Sequence, residues 1–399
     1  MRWALPVPER GDVVVVGGGC SGTSIALQLA RRRAGHIVLL ERDGIAAGAT
    51  GRSSALVRQH YTHETLARMA LRALGIFECF ADVIGGESGF RRTGFLVLVG
   101  PPDVDSLAAN VAMHRRLGID ARLLRPSDLT ALDTRIEARD VGAAAWEPAS
   151  GYADPVLTTN SYAEAARVLG VEQRVGVEVT RLVGGDGGIT GVETTSGAIE
   201  TRTVVVAAGF RTAGLVAPLG VEIKLRPIRH PIGIVQRSRG FGPPHMAVSD
   251  RINGSYYRPE GQDLTLIGTT APYDGREDAA VEIDRSPTTD ELEILVDRFC
   301  ARFPTQDQAV LRASYTGVYD CSEDLQPLLG PLPQVPGLHV AVGFSGHGFK
   351  LSPVVGELIA EKLLDGRTTF VDIDLFNPNR FAEGRPISSQ HNYSVATLG

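Results

Sequence analysis

Hydrophobic positions along the chain fall into short blocks that switch between strand and helix spacing. Residues 12–16, Asp-Val-Val-Val-Val, are continuously apolar after the aspartate and β-branched. That pattern predicts a strand buried on both faces, as in a parallel sheet. Residues 23–30 predict a helix, and 36–40 (His-Ile-Val-Leu-Leu) a second strand. Residues 62–80 carry an amphipathic helical pattern, and 90–99 open a new strand. Helices are expected at 104–117, 126–132 and 157–169, with a short strand at 142–146 and a turn at 151–155. Residues 173–182 and 191–195 read as a hairpin pair, and 203–208 as another buried strand closed by Gly209. A strand-rich stretch starts at 221–237 and includes 255–260 and 264–268. A helix is expected at 288–303.

Near the end the opening pattern returns. Residues 338–342 predict a buried strand, 343–350 a glycine-rich turn, and Ser352-Pro353 the start of a helix, with Ser as N-cap and Pro first. Val354, Val355, Leu358, Ile359 and Leu363 form its apolar stripe, and Gly366 follows its end. No repeat of 20–50 residues is present. The expected fold class is α/β (α+β overall): a Rossmann-like domain assembled from 10–85, 142–215 and 314–370. An antiparallel-sheet domain is inserted at 86–141 and 216–313, and a tail occupies 371–399.

Composition narrows the function classes. The 399 residues carry a net charge of −6, so there is no basic patch on which to argue nucleic-acid binding. No apolar run reaches the roughly 18 residues of a membrane span. Residues 1–11 are short, carry both charge signs and two prolines, and resemble neither a signal nor a transit peptide. A cytoplasmic location is expected. Cys20, Cys79, Cys300 and Cys321 form no CxxC pair and no metal-ligand spacing, so reduced thiols and no metal are expected. Three of the 40 basic residues are lysines (Lys224, Lys350 and Lys362), which singles out a lysine inside a motif.

The chemistry begins at residues 17–22, Gly-Gly-Gly-Cys-Ser-Gly, a G-x-G-x-x-G run between a strand and a helix. Gly17 permits the tight turn, Gly19 lets backbone approach a pyrophosphate, and Gly22 lets helix and strand pack closely. The helix N-terminus offers unpaired N–H groups to phosphates. Glu41 ends the second strand and can accept hydrogen bonds from ribose hydroxyls. Together these predict a dinucleotide site without naming the dinucleotide. The loop 43–54 is rich in small residues and follows Glu41, which favours cofactor contact.

The opening unit, Gly48-Ala49-Thr50-Gly51-Arg52, Gly151-Tyr152-Ala153-Asp154-Pro155, Ala207-Ala208-Gly209 and Gly343-Phe344-Ser345-Gly346-His347-Gly348-Phe349-Lys350 occur in this order. In this the chain resembles the D-amino-acid-oxidase-type flavoprotein superfamily, and within it the sarcosine oxidase and dimethylglycine dehydrogenase group. The resemblance covers roughly residues 10–365. It implies FAD, held by Gly17, Gly19, Gly22, Glu41, Arg42, Thr50, Gly51, Arg52, Ser53, Val179, Ala208, Gly209, Gly343, Gly346, His347, Gly348, Phe349 and Lys350. It implies oxidation of a C–N bond in a small amino acid, sarcosine being the first candidate. Arg58 and Lys350 match the cations that hold the substrate carboxylate. Tyr256 and Tyr257 match aromatic residues over the substrate; a strand alternates its faces, so one of the two should face the pocket. His60 and Tyr61 are further candidates for the same cavity.

Three departures from the family pattern shape the expectations. Gly317 and Arg52 stand where relatives carry the cysteine or histidine that tethers FAD, so a non-covalent cofactor is expected. No lysine lies between Lys224 and Lys350, where the oxidases place a lysine that assists oxygen. Either O₂ or another acceptor therefore takes the electrons. The alternatives are a deaminating oxidase of glycine or D-amino acids, a 2-hydroxy-acid dehydrogenase using His60 or His347 as base, and a flavin-binding subunit of a hetero-oligomer. Oligomeric state is not readable.

Overall fold

Strand Val13–Val16 lies inside a six-stranded sheet of order Leu328–Pro331, Leu338–Val342, Val204–Val206, Val13–Val16, Ile37–Glu41, Glu172–Val175 in the computed structural model. The structure describes residues 7–185, 187–270, 285–389 and 391–394. The expected second inserted block and tail therefore each extend partly outside the described residues. Adjacent strands of this sheet run parallel except Leu328–Pro331, which is antiparallel to its neighbour. The valines alternate between two cores. Val13 and Val15 pack with helices Cys20–Arg31, Glu64–Glu78 and Gly348–Asp365. Val14 and Val16 pack with Val179, Leu182 and Val192 of a three-stranded antiparallel sheet. Both faces are covered, which is why the run is apolar without alternation.

The opening helix Cys20–Arg31 and the closing helix Gly348–Asp365 touch closely. A Cβ on Gly356 would lie 2.3 Å from Ser24 Oγ and 2.7 Å from the Ser24 carbonyl oxygen. This contact brings the two glycine-rich turns to one side of the sheet.

The second sheet has eight strands, in the order Val310–Cys321, Arg226–Gln236, Leu264–Thr269, Ser255–Glu260, Ala247–Asp250, Phe95–Val99, Ala143–Glu147, Arg122–Leu124. Its pairs are antiparallel except Ala247–Asp250 with Phe95–Val99. Helix Thr289–Arg302 covers one face through Leu295 and Phe299, against Tyr257 and Ile267. Among the described residues no helix is long and apolar enough to cross a membrane.

Several expected elements differ. Residues 173–182 are not one strand. Glu172–Val175 joins the six-stranded sheet, Gly176 turns the chain at φ +83°, and Val179–Gly185 starts the three-stranded sheet. The stretch 221–225 precedes its strand, which begins at Arg226. The closing helix starts at Gly348, four residues before the expected Ser352 cap. Ser352 is buried inside it, and Pro353 lies in its second turn. Proline's fixed φ is helical, so this position costs one backbone bond, to the Phe349 carbonyl. The blocks 142–215 and 314–370 also begin in the eight-stranded sheet, through Ala143–Glu147 and Val310–Cys321.

Candidate active site

Both glycine-rich turns open on one cavity of about 560 Å³. The opening helix starts after Gly19 and the closing helix after His347, and neither N-terminus is capped by its own N-cap side chain. Gly19, Cys20 and Ser21 line one part of the cavity; Gly346, Gly348 and Phe349 line another. Two positive helix ends facing one space suit a ligand with negative charge at two separate points. Built Cβ atoms separate the glycines by task. At Gly17 (φ +112°) a Cβ would meet the Ala207 carbonyl oxygen at 2.4 Å, and at Gly22 the Gly17 carbonyl oxygen at 2.0 Å. At Gly19 it would meet Thr50 Oγ1 at 3.0 Å and no other neighbour within 4 Å. The first two are therefore required by the protein's own packing, and Gly19 leaves room for something else.

Glu41, Arg42, Thr50, Arg52, Ser53, Val179, Ala208 and Gly209 also line this cavity. Glu41 reaches back to the turn, accepting from Gly18 N (2.6 Å) and Asp43 N (2.8 Å). Thr50 Oγ1 accepts from Cys20 N (3.1 Å). Gly22, Gly51 and Gly343 do not line it; their place is in the turns around it. A Cβ on Gly51 would lie 2.5 Å from the Ala46 carbonyl oxygen. The expected list missed Arg211, Gly317, Tyr319, Asp320 and Phe344, which line the cavity too. An elongated dinucleotide with a reducible ring fits this donor set: helix ends with no N-cap side chain for phosphate and ring, and a carboxylate for ribose.

Beside it lies a small cavity of about 20 Å³ that shares Ser53, Tyr319, Gly346 and Phe349 with the large one. Arg58, Lys350 and Tyr256 line it, with Leu56, Ser249 and Thr270. Arg58 follows the short strand Leu56–Val57, and Lys350 is the third residue of the closing helix, so opposite ends of the chain supply the two cations. Arg58 Nη1 donates to the His60 carbonyl, and its guanidinium stands 4.6 Å from the Tyr61 ring centroid. Glu147 holds the adjoining loop: its Oε2 accepts from Gln59 N (2.9 Å) and Ser150 Oγ (2.8 Å). Lys350 is buried, and among the described residues its Nζ makes no hydrogen bond. Burial, and then the positive Arg58, lower its pKa well below the usual lysine value.

The two tyrosines separate as strand alternation requires. Tyr256 faces the small cavity, and its buried hydroxyl has no hydrogen-bond partner among the described residues. Tyr257 faces the opposite way, packed against Phe299 and Phe303, with its hydroxyl donating to the Arg298 carbonyl at 2.9 Å. Tyr257 is therefore a core residue, not a substrate contact. His60 and Tyr61 do not line the small cavity. They line a third space with His347, on the other side of Arg58. His60 Nε2 is 2.6 Å from Tyr393 Oη, and burial above all holds its pKa well below the usual histidine value. His347 does not line the large cavity either: Nε2 is 3.1 Å from the Leu325 carbonyl, and burial followed by Lys350 brings its pKa to about 3.

Comparison with known proteins agrees with this geometry. A family model described as FAD dependent oxidoreductase matches residues 12–362. The mitochondrial dimethylglycine dehydrogenase of Homo sapiens is 25% identical over 392 residues, covering 94% of this chain and 45% of that protein. The chain thus spans about half the length of the dimethylglycine dehydrogenases it matches. Glycine oxidase of Geobacillus kaustophilus is 26% identical over 380 residues, covering 93% of this chain and 97% of that one. The crystal structure of L-proline dehydrogenase from P. horikoshii superposes with a TM-score of 0.87 at 27% identity, over 96% of this chain and 100% of that chain. With its glycine turns, paired helix ends and adjoining cation pocket, this chain belongs to the DAO family of FAD dependent oxidoreductases.

Proposed function

We propose that the chain binds FAD without a covalent link and oxidises the C–N bond of a small secondary amino acid, sarcosine being the first candidate. The carrying observation is that Arg58 and Lys350 converge on one small buried cavity against the cofactor space. Two cations held together away from water repel, and an α-carboxylate relieves that repulsion through charge-assisted hydrogen bonds. When bound, FAD supplies the two-electron acceptor. The protein's part is to orient the carboxylate, to exclude water with Tyr256, Phe349 and Tyr319, and to hold the amine on the cofactor side. The imine product then hydrolyses to the primary amine and a carbonyl compound.

A 2-hydroxy-acid substrate would need a base at the hydroxyl. His60 and His347, the two expected bases, lie outside the cavity that holds Arg58 and Lys350. A cyclic secondary amino acid is the second reading, favoured by the likeness to the L-proline dehydrogenase structure. Anaerobic mixing of the FAD-loaded protein with sarcosine, N-methylalanine, proline, glycine, D-alanine and lactate, followed by flavin bleaching, decides among them. Bleaching by secondary amino acids ahead of glycine, D-alanine and lactate is expected. Bleaching by lactate alone would overturn the proposal.

A further inference from the structure

We infer that His60, His114 and Glu147 form a buried site for a divalent transition-metal ion, with zinc as the probe. Each residue offers one ligand atom, and the three atoms lie within 4.8 Å of one another. They come from separate elements: His60 from the loop after Leu56–Val57, His114 from helix Val104–Arg116, and Glu147 from the end of strand Ala143–Glu147. Positions so far apart leave no ligand spacing in the sequence, which is why the sequence alone predicts no metal. All three side chains are buried: His60 is 5% exposed, His114 and Glu147 0%.

Their hydrogen bonds leave one atom of each over. His114 Nε2 lies 2.8 Å from the Tyr61 carbonyl, which can only accept, so Nε2 carries the proton and Nδ1 the lone pair. His60 Nε2 is engaged by Tyr393 Oη at 2.6 Å, and Glu147 Oε2 by Gln59 N and Ser150 Oγ. The atoms left over, His60 Nδ1, His114 Nδ1 and Glu147 Oε1, are buried and make no hydrogen bond among the described residues. His60 Nδ1 stands 3.8 Å from Glu147 Oε1, too far for a direct hydrogen bond. Ligand atoms on a tetrahedral ion with bonds of about 2.0–2.1 Å stand roughly 3.4 Å apart, so the side chains need to draw together by about 1 Å. The outer bonds on Nε2 and Oε2 are of the kind that orient metal ligands. Two imidazoles and a carboxylate suit zinc and its first-row neighbours better than calcium or magnesium. Arg58 and Arg251 are near enough to disfavour a proton on His60, and they oppose a cation too. The Glu147 carboxylate is therefore the indispensable ligand. A buried carboxylate is costly without a counter-charge, and the ion supplies one. His60 lines the third cavity, of about 450 Å³, through which an ion can enter.

The test uses the FAD-loaded full chain without a histidine tag. The protein is stripped with EDTA, given one equivalent of zinc and gel-filtered into metal-free buffer. One zinc per chain should be retained, measured by mass spectrometry of the metal, and Tm should rise by a few degrees over the stripped protein. Zinc K-edge absorption should show nitrogen and oxygen neighbours and no sulfur. Glu147→Gln keeps the side-chain shape without the charge and should retain about a tenth of the zinc or less. His114→Asn, the second variant in case Glu147→Gln does not fold, should lose it likewise. Wild-type protein that gives up its zinc during filtration overturns the inference and leaves the three atoms to a buried water. So does zinc that both variants retain in full, or sulfur among its neighbours, which would place the ion on a thiol such as Cys79 or Cys300.

Discussion

At the opening turn the glycine without a packing duty, Gly19, faces open space, whereas at the closing turn the glycines are filled by the protein's own rings. A Cβ on Gly346 (φ +92°) would lie 2.6 Å from the Tyr319 ring, and one on Gly348 would lie 2.8 Å from the Phe344 ring. Both turns precede a helix with no N-cap side-chain bond, and both are latched by a carboxylate from a strand end. Glu41 accepts from Gly18 N at 2.6 Å, and Asp320 from Gly343 N at 2.8 Å. A glycine-rich turn therefore marks a close approach without saying what approaches. In the opening turn Gly19 leaves the approach open to a ligand. In the closing turn it is an aromatic wall of Tyr319 and Phe344, and Tyr319, like Phe349, lines both the large and the small cavity.

The sharpest way to break this comparison is to put a methyl group into each turn. In Gly22→Ala the new Cβ meets backbone, the Gly17 carbonyl oxygen at 2.0 Å, which cannot yield without moving the strand. Loss of bound flavin from soluble protein is expected, read as the ratio of 450 to 280 nm absorbance. In Gly346→Ala the obstacle is the Tyr319 ring, which can swing, at the cost of the substrate wall and of a strained φ. That variant should purify yellow but bind substrate poorly. A yellow Gly22→Ala with a colourless Gly346→Ala would reverse the assignment of the two turns. In the parent protein, acid precipitation should release the chromophore into the supernatant, since Gly317 and Arg52 line the cavity where relatives carry a tether. Colour in the pellet would reject non-covalent binding.

The next effect tests the cation side of the closing turn. Gly268 pairs with Tyr256 across the sheet, and a Cβ there would lie 2.3 Å from the Tyr256 ring. No side chain fits at that position while Tyr256 keeps its place. Arg258 pairs with Glu260 at 2.6 Å and lies 4.5 Å over the Tyr152 ring. Lys350 lines the small cavity beside the cofactor space, and the proposed function assigns it to substrate. Reoxidation by O₂ should then be about a hundred-fold or more slower than reduction by substrate, because each 1.36 kcal/mol of lost charge stabilisation is about tenfold in rate. Stopped-flow mixing of reduced protein with air-saturated buffer measures this. Reoxidation as fast as reduction would restore a plain oxidase.

Arg58→Met should raise KM for the amino acid about 10- to 150-fold with the flavin spectrum unchanged, as expected for loss of a charged hydrogen bond worth about 1.5–3 kcal/mol. Affinity for propionate that does not change would remove Arg58 from the carboxylate role.

How much of this was legible beforehand depended on whether a residue's role is local. The opening unit follows from consecutive residues, because the strand, turn, helix and Glu41 all lie within one short stretch. Arg58 and Lys350 were legible as positions in a family pattern, though their meeting is a long-range fact. Tyr256 and Tyr257 could be told apart only as one in, one out; which was which needed the register against Gly268. Strand Val310–Cys321 was missed because residues 310–314 are exposed and show no alternation that marks a half-buried strand. With it went Asp320, while Gly317 was legible only as a tether position in the family pattern. The start of the closing helix was misplaced because Ser-Pro is a strong cap signal, while here both residues are buried by the opening helix.

Asp320 gives the smallest effect and the finest test of the two latches. Its side chain is half-buried in the cavity wall, and desolvation there outweighs its backbone hydrogen bonds, raising its pKa from the ordinary aspartate range to about 6. The folded protein therefore holds this proton up to about pH 6, whereas the unfolded chain releases it near 3.8. Between those values the native state binds more protons than the unfolded one, so stability falls as pH rises through the window. Above it the loss is complete, at most about 3 kcal/mol for a shift of about two units. Asp320→Asn keeps an acceptor for Gly343 N and carries no charge to bury. Relative to the parent, it should melt a few degrees higher at pH 7.5 and show no advantage at pH 4, which thermal unfolding at the two pH values measures. If Asn lowers the melting temperature at pH 7.5, the negative charge is what holds the closing turn, and the two carboxylate latches then work alike.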